Sequence, residues 1–292
     1  MSRFRHFAAI DWSGAKGERQ RGIAVAQCTG DGPPTLVQRD RPWSRGEVLE
    51  WLRNELAPGT LVGMDLGIAL PFADCGAYFP GWPDSPANAR ALWDMVDAIC
   101  AGDPNLEVGS LVDHPRLSAY FRRHGGREGA AFHHPDATHR RGRFRITEWA
   151  QEQQGCKPYS NFNLVGAAQV GKSSLTGMRV LARLGGAVPV WPIDPLPEGG
   201  SVIVEIYTAL AAIAAGRTAA RSKMTDCASL NAGLHSLGSA AVARRGPIDD
   251  HSADALLTAA WLRTAADRPE LWQPQATSAE IAATEGWTFG VP

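Results

Sequence analysis

The stretch Asp249-Asp250-His251-Ser252-Ala253-Asp254 puts three carboxylates and an imidazole ahead of an apolar Ala-Leu run ending in Trp261. Following Gly246-Pro247, it predicts a helix with Asp249 as N-cap. At helical spacing Asp250, His251 and Asp254 point roughly one way. Asp254 lies one turn from Leu257 and two from Trp261, on the flank of an expected buried stripe of Leu256, Leu257, Ala260 and Trp261. Capping and the helix dipole account for Asp249 and Asp250 and leave Asp254 without a task. Carboxylates so placed repel one another and resist burial. A hard divalent cation relieves both costs, so the implied cofactor is Mg²⁺ or Mn²⁺. Such a site needs more carboxylates from elsewhere in the chain.

Two come from strand ends. Phe7-Ala8-Ala9-Ile10 predicts a buried strand leaving through Asp11-Trp12-Ser13-Gly14, and Thr60 to Met64 predicts another ending in Asp65-Leu66-Gly67. Between them, Gly22–Cys28 and Thr35–Arg39 read as strands joined by the turn Gly30-Asp31-Gly32-Pro33-Pro34, an antiparallel meander. Ser44 with Glu47 is a capping box opening a helix to about Leu56. That crossover makes the fourth strand parallel to the first, so Asp11 and Asp65 can share one sheet edge. Asp also starts turns by habit, which is the plainer reading of each alone. Glu205, ending the strand Val202-Ile203-Val204, is a further candidate ligand; an ordinary charged strand end is its plainer reading.

Asp11, Asp65 and the acidic late helix resemble the RNase H-like superfamily, especially its RuvC-type resolvase branch. More closely, Asp65-Leu66-Gly67-Ile68-Ala69-Leu70-Pro71, Glu205-Ile206-Tyr207 and the closing Glu285-Gly286-Trp287-Thr288-Phe289-Gly290-Val291-Pro292 resemble a bacterial family of unknown function described as predicted RNase H-like nucleases. That family commonly has Glu-x-Tyr-Pro at its strand end, where this chain has Thr208. The resemblance implies an α/β fold: an RNase H-like mixed sheet, an antiparallel three-stranded meander plus parallel strands, flanked by helices. It spans most of the chain but fades from about 72 to 161, which reads as a largely helical and loop insertion into a single domain of residues 1–292. Within it, Asp84-Ser85-Pro86 predicts a helix start and Ala87 to Cys100 carries helical periodicity.

The insertion ends in the chain's strongly basic tract, His114 to Arg145. Eight arginines (116, 122, 123, 127, 140, 141, 143 and 145) face only Glu128 and Asp136, with Phe121, Phe132 and Phe144 interleaved. Guanidinium forks suit phosphate and aromatic faces suit base stacking; Arg140, Arg141 and Arg143 are the expected phosphate contacts. The plainer reading is a solvated loop. His124, His133, His134 and His139 match no standard metal spacing. Gly166-Ala167-Ala168-Gln169-Val170-Gly171-Lys172-Ser173 matches the P-loop pattern letter for letter, with Lys172 as phosphate ligand. Only one convincing strand follows it, Val202 to Tyr207, and a P-loop domain needs several. Its glycine turn at a helix N-terminus still suits a substrate phosphate.

Composition sets the limits. At 292 residues and 44% hydrophobic content the chain can bury a full core, and a net charge of −1 gives no blanket attraction to nucleic acid. Five scattered Cys form no C-x-x-C pair, and no apolar run is long enough to span a membrane. A cytoplasmic protein with no membrane partner is expected. The leading expectation is a two-metal phosphodiesterase acting on DNA or RNA, with Asp11, Asp65 and Asp254 as ligands, Asp250 or Glu205 completing the cage, and His251 moving a proton. The alternatives are nucleotide binding and hydrolysis, through the P-loop-like segment or an actin-like phosphate cleft, and a non-catalytic scaffold whose acids only cap and turn.

Overall fold

A first strand buried on both faces organises everything that follows. In the computed structural model of the protein, the described residues are 3–30, 32–133, 135, 141–166, 169–218 and 223–292. His6–Asp11 (β1) pairs antiparallel with Ala24–Thr29 (β2), which pairs with Thr35–Leu36 (β3). The third strand is shorter than its sequence suggests, because it is the edge of the sheet and only β2 offers it partners. Arg45–Asn54 (α1) opens with the expected capping box: Glu47 N–H donates to Ser44 Oγ at 3.1 Å and Ser44 N–H to Glu47 Oε2 at 2.8 Å. Thr60–Asp65 (β4) then lies parallel to β1 and beside it.

The next segment holds Ala89–Ile99 (α2), Gly109–Val112 (α3), a two-strand ribbon of Arg122–Arg123 (β5) and Arg127–Glu128 (β6), and Ile146–Gln153 (α4). Helix α2 starts later than Asp84-Ser85-Pro86 predicts, because Asn88 takes the cap and accepts from Ala91 N at 3.0 Å. Val170–Leu184 (α5), Val190–Trp191 (β7), Val202–Glu205 (β8), Thr208–Ala214 (α6), Cys227–Ser236 (α7), Asp250–Ala265 (α8) and Ala279–Thr284 (α9) complete the chain. The result is an α/β molecule with a mixed six-stranded sheet, ordered β3-β2-β1-β4-β8-β7, antiparallel at one end and parallel at the other.

Side chains alternate across a strand, so each face of the sheet has its own core. Ala8, Ile10, Val62, Met64 and Ile203 pack toward α1, α2 and α5; Phe79, Trp93 and Phe162 from the 72–161 region join the same core. Phe7, Ala9, Leu61, Val202 and Val204 pack toward α6, α7 and α8. Helix α8 is buried nearly all round rather than along one stripe, since α6, α7 and the chain end cover its outer side. Trp287, Phe289 and Val291 of that end are fully buried, and Phe289 N–H donates to Glu205 O at 2.9 Å. No helix among the described residues is long and apolar enough to cross a membrane.

Candidate functional site

Parallel register decides which acids meet. Asp11 is the register partner of Asp65, and neighbouring strands lie about 4.8 Å apart, so the two carboxylates leave one sheet edge side by side. Both share the parity of Phe7, Ala9 and Leu61 and therefore face α8. Helix α8 approaches closely because Gly63 has no Cβ; one placed there would meet Ile206 and Leu262 at 2.7 and 3.0 Å. Its first turns bring His251 and Asp254 over the edge. His251 Nδ1 lies 3.2 Å from Asp11 Oδ2, leaving Nε2 for other partners.

Electrostatics follows from this crowding. Burial first, then Asp11 and Asp250, pushes the Asp254 carboxyl up to about 7. Burial, Asp11 and Asp254 hold Asp65 well above the usual carboxylate range, although the Thr208 N–H, a donor that a proline would lack, donates to it. Asp11 is raised by burial despite His251, and His251 is raised in turn by its bond to Asp11. Asp249 caps α8, accepting from Ser252 N at 2.9 Å, as its position predicts. Asp250 is drawn outward into an ion pair with Lys223.

Glu205 does not join them. It is in register with Met64, so it points to the opposite face from Asp65. There it accepts from Arg145 at 2.8 and 2.6 Å, from Ile68 N at 2.8 Å and from Thr288 Oγ1 at 2.5 Å. Arg145 is also paired with Glu148 at 2.6 Å, and all three side chains are buried. A carboxylate with its lone pairs so engaged has none left for a cation, which removes Glu205 from the ligand set.

Within the basic tract, Arg143 is corrected in the same way. Arg143 is fully buried, clamped to Asp74 at 2.6 and 2.8 Å and to the carbonyls of Pro71, Ala77 and Tyr78, so it cannot reach a phosphate. Arg141 pairs with Glu152. Arg140, with His134 and His139, lies outside the described residues. Phe121, Phe132 and Phe144 are buried core, not stacking platforms.

Lys172 sits at the start of α5, where both acid-bearing turns dock. A Cβ on Gly14 would come within 2.4 Å of Lys172 C, and one on Gly67 within 2.3 Å of Asn161 and 2.9 Å of Ser174. Trp12 Nε1 donates to Thr176 Oγ1 at 3.1 Å, fixing the turn after Asp11 to the same helix. The segment is not built as a P-loop: coil, not a strand, precedes Gly166, and the Gly171 and Lys172 N–H groups are bonded to Asn163 O and Gln169 O. Residues 167 and 168 lie outside the described residues. Lys16 stands close enough to lower the Lys172 pKa, after burial, and neither lysine forms an ion pair among the described residues.

A cleft of about 160 Å³ opens beside Asp65, lined by Trp12, Leu66, Tyr159, Ile206 and Tyr207, with Arg145, Glu148 and Glu205 also in its wall. Lys16, Lys223 and Tyr159 were not singled out by motif reading. Lysine scarcity is the signal that finds the first two, for of the four lysines Lys16 and Lys172 border one cavity beside the turn after β1 and Lys223 pairs with Asp250. The donor set is chemically suited to a hard divalent cation, being oxygen only, desolvated and net negative. Among the described residues, no group of three or more His, Cys, Asp and Glu is assembled as a metal-ion site. Comparison of the chain with protein-family models, with curated proteins and with solved structures found no match.

Proposed function

We propose that the chain is a divalent-metal-dependent phosphodiesterase acting on nucleic acid, on an RNase H-like fold. The observation that carries the reading is the gathering of Asp11, Asp65 and Asp254, from three separate elements, in surroundings that raise the cost of ionising each. The strand order β3-β2-β1-β4-β8, antiparallel then parallel, supports the fold assignment. Asp11, Asp65 and Asp254 would hold Mg²⁺ or Mn²⁺, which when bound lowers the pKa of water and offsets charge on a leaving oxygen. Asp250 supplies further negative charge from the rim, with Lys223 tempering it.

The chain's own groups do the rest. His251, oriented through Nδ1 by Asp11, presents Nε2 to accept the proton of the attacking water. The water oxygen bonds to phosphorus as the bond to the leaving oxygen breaks, and that oxygen takes a proton in turn. Lys172 and Lys16 neutralise neighbouring phosphates of the strand.

Purified protein is expected to cut single or branched DNA or RNA strands with Mn²⁺ or Mg²⁺ and to be silent in chelator. Asp11→Asn and Asp254→Asn should each cost more than the about 10–100-fold typical of groups that merely support a metal ligand. Cleavage that survives both substitutions at the wild-type rate would reject this site.

A further inference from the structure

We propose that the cleft beside Asp65 is a nucleobase pocket, which takes one base unstacked from a single strand while its phosphate lies at the acidic edge. The inference rests on the phosphodiesterase reading and names what that site would accept. At about 160 Å³ the cleft is smaller than the about 300–1,000 Å³ of sites for drug-sized ligands and suits a single ring system. Tyr159 at its mouth is 44% exposed, the one large hydrophobic side chain left so among the described residues. Trp12 and Tyr207 are the other aromatic walls, and Leu66, Val170 and Ile206 complete an apolar slot.

The polar part of the lining has a definite sense. Arg145 spends its guanidinium on Glu148, Glu205 and the Glu285 carbonyl. The oxygens of those two carboxylates are spent in turn on Arg145, Ile68 N–H and Thr288 Oγ1, so that wall is closed on itself. The Gln151 side-chain N–H₂ donates to Thr288 Oγ1 at 2.8 Å, and that of Asn161 to Ala69 O at 3.0 Å. The carbonyl ends of these two amides are what the lining offers to N–H donors on a base edge, while the apolar slot takes its flat faces.

Position ties the pocket to the chemistry. Asp65 lines the cleft, and so does Ser173, the residue after Lys172 in the first turn of α5. A nucleotide whose base enters therefore brings its phosphate between the acids and the lysines. A base still paired in a duplex cannot enter, so the fit is to single strands or locally opened ones.

The test is fluorescence anisotropy with a labelled single-stranded oligonucleotide and its counterpart carrying a central run of abasic sites, in chelator and in Ca²⁺. Wild type should bind the base-bearing strand at least about tenfold more tightly, as base–aromatic stacking implies. Tyr159→Ala should weaken that strand alone and erase the difference, whereas Tyr159→Phe, which keeps the ring, should retain it. Equal binding of both strands by wild type, no binding of either, or a difference that survives Tyr159→Ala would overturn the pocket. Cleavage run in parallel separates the two readings. Equal cutting of both strands, lost in Asp11→Asn, would remove the pocket and keep the phosphodiesterase. Base-dependent, Tyr159-dependent binding without cutting would do the reverse.

Discussion

Asp254 concentrates the energetic conflict of the site in one carboxyl. Its folded pKa, pushed up to about 7, lies well above the ordinary value of 3.8. A group raised in this way favours the fold fully below its unfolded pKa, and that contribution is lost as pH rises through the folded pKa. Asn at the same place is neutral throughout and nearly equal in volume. In chelator, wild type and Asp254→Asn should therefore melt alike near pH 4, and the variant should become the more stable by pH 7.5. Added Mn²⁺ at pH 7.5 should then raise the wild-type melting temperature and barely move the variant, since only wild type offers the full ligand set. A melting difference between the two proteins that does not change with pH would mean that neither burial nor neighbouring charge raises Asp254.

At the scale of elements, the turn after β1 positions Asp11 because α5 and α1 hold it. Arg45, buried and pulled down to about 10 by that burial, donates to Ser13 O at 3.1 and 3.0 Å, to Ala15 O, and to Asn105 O at 2.9 Å. Gly14 then meets the α5 backbone with no room for a methyl group. Because the obstruction is backbone rather than a flexible side-chain tip, Gly14→Ala must push the turn off the helix. It should cost about 1–3 kcal/mol in denaturant unfolding, and cleavage should fall by more than the folded fraction. Full activity and unchanged stability in Gly14→Ala would show that the contact between turn and helix does not matter to the site.

For the molecule as a whole, the end of the basic tract, Arg143 and Arg145, is spent inside, while Arg116, Arg127 and Arg141 stay exposed. Arg143 and Arg145 neutralise Asp74, Glu148 and Glu205 in the interior, which joins the 72–161 region, β8 and the chain end into one charged seam. Removing such a partner leaves buried charge behind, so Arg145→Leu should destabilise the protein by about 3–5 kcal/mol. Lys172 is a different kind of cation. Lys172→Gln should leave unfolding within about 0.5 kcal/mol of wild type and reduce the salt slope of strand binding by about one. Equal effects of the two substitutions on stability would contradict this division between structural and binding cations.

Short-range chemistry was legible in the chain before any fold was known. The Ser44–Glu47 box, the Asp249 cap and the apolar runs that end β1 and β4 in Asp all span a few residues, so local composition determines them. What local pattern does not carry is which element becomes whose neighbour. Glu205 and Asp65 both sit at strand ends in the same sheet. Only the register of β8 on β4 puts one on the Arg145 face and the other under α8. Arg145 lies 60 residues from Glu205 and Asp11 lies 240 from His251, distances at which charge pairing depends wholly on the tertiary path of the chain. Arg143 and Arg145 therefore read as surface residues until the sheet and its helices closed over them. Burying an arginine is costly unless acids meet it; Glu148 is one helical turn from Arg145, but only the completed fold brings Glu205 to Arg145 and Asp74 to Arg143.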